Sequence, residues 1–241
     1  MEINPIGFFH SPLKSKFGIP RQSGLVRELT GYVVFEPEYR QEEAVRGLED
    51  FDFLWLIWGF SANRGETHGL TVRPPRLGGN KRMGVFATRS PFRPNALGLS
   101  CVRLLEIRRY QTKDSGAAEA RGLVLEVAGA DMMDGTPIYD IKPYIPYADC
   151  VRDASSGFAP NAGTLLSVDF PEELRKRVPE EKQENLLAAL ANDPRPRYQR
   201  DPERVYCMSF AGLEVRFRVK GEQLTVTDVS FVLTDVKGEA E

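Results

Sequence analysis

The feature that most limits the fold of this 241-residue chain is the shortness of its apolar runs and how often Gly or Pro interrupts them. In the first 145 residues, runs rich in Val, Ile, Leu and aromatic side chains occupy positions 3–9, 31–35, 54–60, 84–88, 99–110 and 122–128. Such residues fit a pleated, half-buried surface, so each run is expected to form a strand. The hydrophilic stretch 111–121 reads as a long hairpin turn between the last two. A single helix is expected over 38–49, because Ala44, Val45, Leu48 and Phe51 recur at helical spacing after Pro37. Many short strands joined by hairpin-length connections favour a closed or nearly closed antiparallel β-barrel over a doubly wound sheet. The fold class is therefore mainly β, with an antiparallel barrel at the N-terminal end.

The composition changes at 148–163, where small and turn-forming residues replace apolar periodicity, and a domain boundary is placed there. The expected division is a barrel domain at 1–150, a linker at 151–165 and a small α+β domain at 166–241. In the latter, 180–191 carries Leu186, Leu187 and Leu190 on one side of a helix that the two prolines of DPRP (193–196) terminate. Leu213, Val215, Phe217 and Val219 alternate with Glu214, Arg216, Arg218 and Lys220, the period of a strand with a charged outer face. Positions 205–210 and 224–233 are expected to complete a three-stranded sheet.

Composition excludes several classes. With 41% hydrophobic and 27% charged residues the chain can bury a core, so disorder and coiled coil are excluded. The longest apolar stretch, 51–60, falls far short of the roughly 20 residues that span a bilayer. The N-terminus lacks a basic segment followed by an apolar one, so a cytoplasmic location with no membrane partner is expected. Cys101, Cys150 and Cys207 are far apart with no CxxC pair, which supports neither a disulfide framework nor a zinc site. His10 and His68 are the two histidines, too few for a multi-histidine metal site and a poor supply for a Ser/His/Asp arrangement, so no metal is expected. Neither a GxxxxGK[ST] loop nor a GxGxxG following a strand is present.

The net charge of −2 conceals a segregated distribution. Between 71 and 95 stand Arg73, Arg76, Lys81, Arg82, Arg89 and Arg93 with no Asp or Glu, while acidic residues gather at 36–43 and 172–184. A near-neutral average can thus coexist with a positive surface that attracts phosphates. The remaining unusual chemistry lies in three segments dense in Pro and Gly: PRQSG (20–24), VRPPRLGGNKRMGVFATRSPFRPNALG (72–98) and DMMDGTPIYDIKPYIPY (131–147). Prolines restrict the backbone and glycines permit positive φ, so these loops can hold a fixed shape and present Arg, Asn and Asp rigidly.

Together, PRQSG, AVRGLEDF, TVRPPRLGGNKRMGVFATRSPFRPNALGLS, DGTPIYDIKPYIPYAD and DPRPRY occur in the order seen in the TrmO (YaeB/TsaA-like) family, and the chain resembles that family from near residue 3 to its C-terminus. The resemblance implies an S-adenosylmethionine-dependent methyltransferase, built as a β-barrel with a small C-terminal domain. It would act as a homodimer on the N6 of threonylcarbamoyladenosine next to the tRNA anticodon. It also implies a donor site made of Arg21, Gln22, Ser23, Phe60, Ser61, Arg89, Leu99, Asp134, Gly135, Thr136 and Pro137. Phe60 and Leu99 would wall the adenine, backbone groups around Gly135 would fix its edge, and Arg89 or Gln22 would bind the methionine carboxylate. Asp131 or Asp134 would offset the sulfonium charge, and Asp134 is the candidate catalytic residue for handling the N6 proton. Arg73, Arg76, Lys81, Arg82 and Arg93 would contact RNA phosphates, with Tyr144, Tyr147 or Tyr198 stacking on an unpaired base. Two other readings stay open at this point: a non-catalytic RNA-binding barrel, and the same donor used on another RNA or a small molecule.

Overall fold

The computed structural model describes residues 2–63, 69–112, 120–196, 199 and 201–232; His68, Tyr198 and the centre of the 111–121 turn lie outside them. The N-terminal part contains β1 (Gly7–His10), β2 (Thr30–Phe35), β3 (Phe53–Gly59), a two-residue pair β4 (Thr71–Val72) and β5 (Met83–Gly84), β6 (Leu97–Thr112), β7 (Ala120–Ala128) and β8 (Thr136–Pro143). Six of these pair antiparallel in the order β1-β2-β7-β6-β3-β8 and return to β1, forming a closed barrel. The joint is β1, whose Phe9 pairs with Val33 on one side and Thr136 on the other.

Period-two alternation fills the barrel. On β2, Val33 and Phe35 point inward, and on β3, Leu54, Leu56 and Trp58 do so. They meet Phe9, Val102, Leu125, Val127 and Ile138 in one cluster. Each such side chain removed from water contributes about 1.5–3 kcal/mol, so the interior rather than the turns holds the strands in register.

Three expectations are corrected. The helix over 38–49 is not continuous: a 3-10 turn at Pro37–Tyr39, α1 (Glu42–Val45) and a second 3-10 turn at Leu48–Asp50 replace it. Arg46 is extended at ψ 123° and Gly47 is left-handed at φ 82°, which breaks the helix after Val45 reaches the barrel core. The strand over 84–88 is reduced to β5, and Val85–Ala87 turns as a 3-10 helix that leaves Phe86 75% exposed. Much of 131–147, read as irregular, is the barrel strand β8; its prolines sit near its start, at Pro137, and at its last residue, Pro143. There they cost the ladder little, which is why they disguised the strand.

After α2 (Pro146–Asp149), a second sheet forms from β9 (Ser167–Asp169), β10 (Tyr206–Phe210), β11 (Leu213–Lys220) and β12 (Gln223–Phe231), in the order β10-β11-β12-β9. It has four strands rather than three, because the short β9 runs parallel to β12. Helices α3 (Glu172–Arg175) and α4 (Glu180–Ala191) accompany it, and α4 buries Leu186, Ala189 and Leu190.

The core of this second sheet is completed from the other end of the chain. Leu13, Val26 and Leu29, all from the β1–β2 connection, are buried among Leu186, Met208, Phe210, Val215 and Phe217. Phe17 lies 6.4 Å from both the Tyr206 and Phe217 rings. Hydrogen bonds repeat the link: Ala211 N–H donates to Pro12 O at 2.8 Å, and Asn185 Nδ2 to Thr30 Oγ1 at 3.1 Å. Leu13→Ala therefore empties part of the second core although residue 13 lies in the N-terminal part; a loss of about 2–5 kcal/mol is expected, read from the urea midpoint, whereas a loop residue would leave it in place.

Candidate functional site

In an antiparallel barrel, successive connections emerge at opposite ends. The strand directions here bring the β1–β2, β3–β6 and β7–β8 connections to one mouth. These connections carry PRQSG, nearly all of 72–98 and the first five residues of 131–147. They enclose a cavity of about 900 Å³ lined by residues 20–23, 86–99 in part, and Asp131, Met132, Met133 and Thr136, with Trp55, Trp58 and Phe60 from β3 and its end.

The apolar wall is built around Trp58. Its ring packs edge-on against Phe60, with centroids 4.4 Å apart. Across the ladder, Trp58 faces Gly98, where a Cβ would come 2.2 Å from the indole. Glycine is required at 98 because the ring lies flat on the β6 backbone. The indole Nε1–H donates to Ser100 Oγ at 2.8 Å, and the Ser100 hydroxyl donates to Asp131 Oδ1 at 2.5 Å. Ser100 is fully buried.

Asp131 is the one carboxylate among the described lining residues. Burial pushes its pKa up; hydrogen bonds from Ser100 and from main-chain N–H groups at Asp131 and Ser23, with the Arg89 charge, act in the opposite direction. Desolvation outweighs them because an ion loses more by leaving water than a few dipoles return. The opposing wall is cationic. Arg89 Nη1 donates to Gln22 Oε1, and Gln22 Nε2 donates to its neighbour's carbonyl, Arg21 O, at 2.5 Å. Arg93 Nη1 donates to Thr88 O at 3.2 Å. Cys101 N–H donates to Ser23 Oγ at 3.2 Å, tying PRQSG to β6. Arg21 Nη2 reaches Asp193 O at 3.2 Å and Arg195 O at 3.0 Å, so the same loop is fastened to the DPRP segment.

The mouth brings together Arg21, Gln22, Ser23, Phe60, Ser61, Arg89, Leu99 and Thr136. Asp134, Gly135 and Pro137 are not among the residues that line it. The Asp134 carboxylate accepts from Ser11 N–H at 3.1 Å and lies 3.2 Å from His10 Nδ1. Gly135, at φ 75°, donates its N–H to Phe9 O, and Pro137 is buried in β8 opposite Phe8. Trp58 and Asp131 line the cavity and Ser100 joins them by hydrogen bonds; Trp58 and Ser100 sit in strands with no motif to mark them, so the sequence did not single them out.

Arg73, Arg76, Lys81 and Arg82 all lie on the loop joining β4 to β5, which Gly78 and Gly79 turn with φ of 73° and 74°. Arg82 Nη1 is 3.4 Å from Thr71 Oγ1. Arg93 instead lines the cavity. Tyr144 is half-buried, 5.8 Å from Trp55 and 6.3 Å from Phe53 by ring centroids, and Trp55 itself reaches the cavity. Tyr147 is 91% exposed.

Residues 8–150 match the profile of the tRNA-methyltransferase O N-terminal domain, and 163–232 that of the TrmO C-terminal domain. The chain belongs to the tRNA-methyltransferase O family. It is 41% identical over 227 residues to the tRNA (adenine(37)-N6)-methyltransferase of Escherichia coli strain K12, covering 90% of this chain and 93% of that one. It is 38% identical to a Pseudomonas aeruginosa PAO1 protein described as a candidate S-adenosylmethionine-dependent methyltransferase, covering 95% and 97%. The crystal structure of TrmO from Pseudomonas aeruginosa superposes with a TM-score of 0.73 at 32% identity, covering 95% of this chain and 98% of that one.

The contact between Gly98 and the indole is open to test in this family member. Gly98→Ala must displace the Trp58 ring, so a shift in tryptophan emission is expected together with about 1–3 kcal/mol of destabilisation from overpacking. Fluorescence and urea unfolding check it; an unchanged spectrum means the ring does not lie there.

Proposed function

We propose that the protein is an S-adenosylmethionine-dependent tRNA methyltransferase that methylates the N6 of threonylcarbamoyladenosine beside the anticodon. The observation that carries this reading is the mouth cavity, which sets an aromatic wall, a cationic side and a single half-buried carboxylate around one space. Its volume lies within the range of roughly 300–1,000 Å³ typical of small-molecule sites. The residues suit the donor: Phe60, Trp58 and Leu99 offer an apolar wall for the adenine, and Arg89 with Gln22 offers charge-assisted bonds to the methionine carboxylate. When bound, the donor supplies an electrophilic methyl group on a positively charged sulfur.

The chain's own contribution is chiefly positioning. Ser23 and Gln22 are held by bonds to Cys101 and Arg89, and holding two reactants aligned removes much of the entropic barrier to transfer. In this reading the carbonyl of Gly135, whose N–H is already bonded to Phe9 O, fixes the edge of the adenine beside Thr136. Asp134 bonds Ser11 rather than standing at the reacting atoms. The four cations of the β4–β5 loop and Arg93 meet phosphates of the anticodon loop, and Tyr144 stacks on an unpaired base. We further propose a division into a methyltransferase domain at 1–150, a linker at 151–165 and a companion domain at 166–241, with family profiles at 8–150 and 163–232 in support. A homodimer working in the cytoplasm completes the proposal. Among the described residues no helix is long and apolar enough to cross a membrane.

The enzyme reading is tested by incubating the protein with methyl-labelled S-adenosylmethionine and total tRNA, then digesting and identifying the labelled nucleoside. Label in N6-methylated threonylcarbamoyladenosine is expected; unlabelled tRNA beside a labelled metabolite would shift the acceptor to a small molecule. For the RNA footprint, Arg76→Ala combined with Arg82→Ala is expected to weaken tRNA binding and reduce the slope of log affinity against log salt by about 2, close to one per lost phosphate contact. An unchanged slope across a salt series removes the loop from the interface.

A further inference from the structure

Methylating an N–H nitrogen releases a proton, and the placement of charged groups at the mouth singles out where it goes. The titratable side chains lining the cavity are Lys16, Arg21, Arg89, Arg93, Cys101 and Asp131. The four cations have no lone pair to offer at neutral pH. Burial, aided by the charge of Asp149, holds the Cys101 thiol above its usual range, so it stays protonated. Asp131 remains, and it is held from two elements: the Ser100 hydroxyl on β6 and the main-chain N–H of Ser23 on the β1–β2 connection.

The Ser100 hydroxyl is itself fixed. It accepts from the Trp58 indole at 2.8 Å and so must turn its own hydrogen toward Asp131, at 2.5 Å. A serine clamped at both lone pair and proton, with no exposure to water, aims the carboxylate rather than merely touching it. The same indole forms the apolar wall, so the surface that would receive the donor also orients the carboxylate.

Resting on the methyltransferase reading above, we propose that Asp131, aimed by Trp58 through Ser100, accepts the proton that N6 loses during methyl transfer. The N6–carbon bond forms as the sulfur–carbon bond breaks. The electron pair of the N6–H bond stays on nitrogen, the proton passes to the carboxylate, and a neutral thioether leaves. A sulfonium cation and a carboxylate anion are consumed together, so the cavity ends with no net charge change. Burial assists by making the carboxylate a stronger base than one in water, bringing it nearer the working pH, where general bases are most effective.

The test is single-turnover methylation of tRNA at saturating donor across a pH series, with calorimetry of S-adenosylhomocysteine as a second readout. The wild type is expected to rise with pH to a plateau. Asp131→Asn should lose about 100-fold or more, the usual contribution of a general base, and its remaining rate should lose the low-pH limb, while the thioether still binds within about threefold. Ser100→Ala should move the midpoint of the limb to higher pH, because the lost hydrogen bond had favoured the ionised carboxylate. Asp131→Asn within about threefold of wild type, loss of thioether binding in that variant, or an unmoved midpoint in Ser100→Ala would each overturn the assignment. A wild-type enzyme that transfers no methyl to tRNA would instead sink the methyltransferase reading itself.

Discussion

The burial of Leu13, Val26 and Leu29 in the core of the second sheet is the constraint on which the rest depends. These residues flank PRQSG, so one connection is pulled into a hydrophobic core at both of its ends while its middle lines the mouth of the barrel. A loop free at its tip would lose several rotamers on meeting a ligand; one pinned by apolar burial on each side has lost that freedom during folding. Arg21, bonded to the carbonyls of Asp193 and Arg195, adds a polar tether on the same side. The second sheet thus functions as a foundation for the site even though Asp131, Trp58 and Ser100 all belong to the barrel.

The electrostatics of the mouth follow from where water is removed. Asp131 is desolvated among Ser100, Ser23 and Met132, whereas much of the cationic side is exposed. Exposed cations keep most of their hydration and interact weakly at rest, while a buried anion is sensitive to every nearby charge. A positive ligand is favoured deep in the cavity and a negative one at its rim, an ordering set by depth rather than by composition.

Much of the barrel was legible because short runs rich in Val, Ile, Leu and aromatic residues mark β2, β3, β6 and β7. PRQSG and 72–98 at the mouth were legible for a different reason: Pro and Gly concentrate where the backbone must be stiff with little or no ladder. What escaped was long-range. Thr136–Pro143 carries prolines near its two ends and so looked irregular, and Ser167–Asp169 is too short for any pattern. The helix over 38–49 had the right apolar spacing, but the left-handed Gly47 overrides spacing locally. At the site, eight of the eleven donor-site residues named from family resemblance line the cavity, yet nothing in the sequence marks Ser100, whose place is set by Trp58 across the ladder. Asp131 and Asp134 are three residues apart, and the sequence could not tell that the first lines the cavity while the second bonds Ser11.

The β4–β5 loop has a consequence for how a polyanion would meet this molecule. Four cations project from one small hairpin on a chain whose total charge is −2. At long range, a nucleic acid experiences a weakly repulsive body; within a Debye length of about 8–10 Å it experiences a single attractive prong. If the hairpin meets RNA as proposed, encounters in the wrong orientation would be short-lived and productive ones would begin at the hairpin, whose own strands lie on the connection that also supplies Arg89 and Phe60 to the mouth.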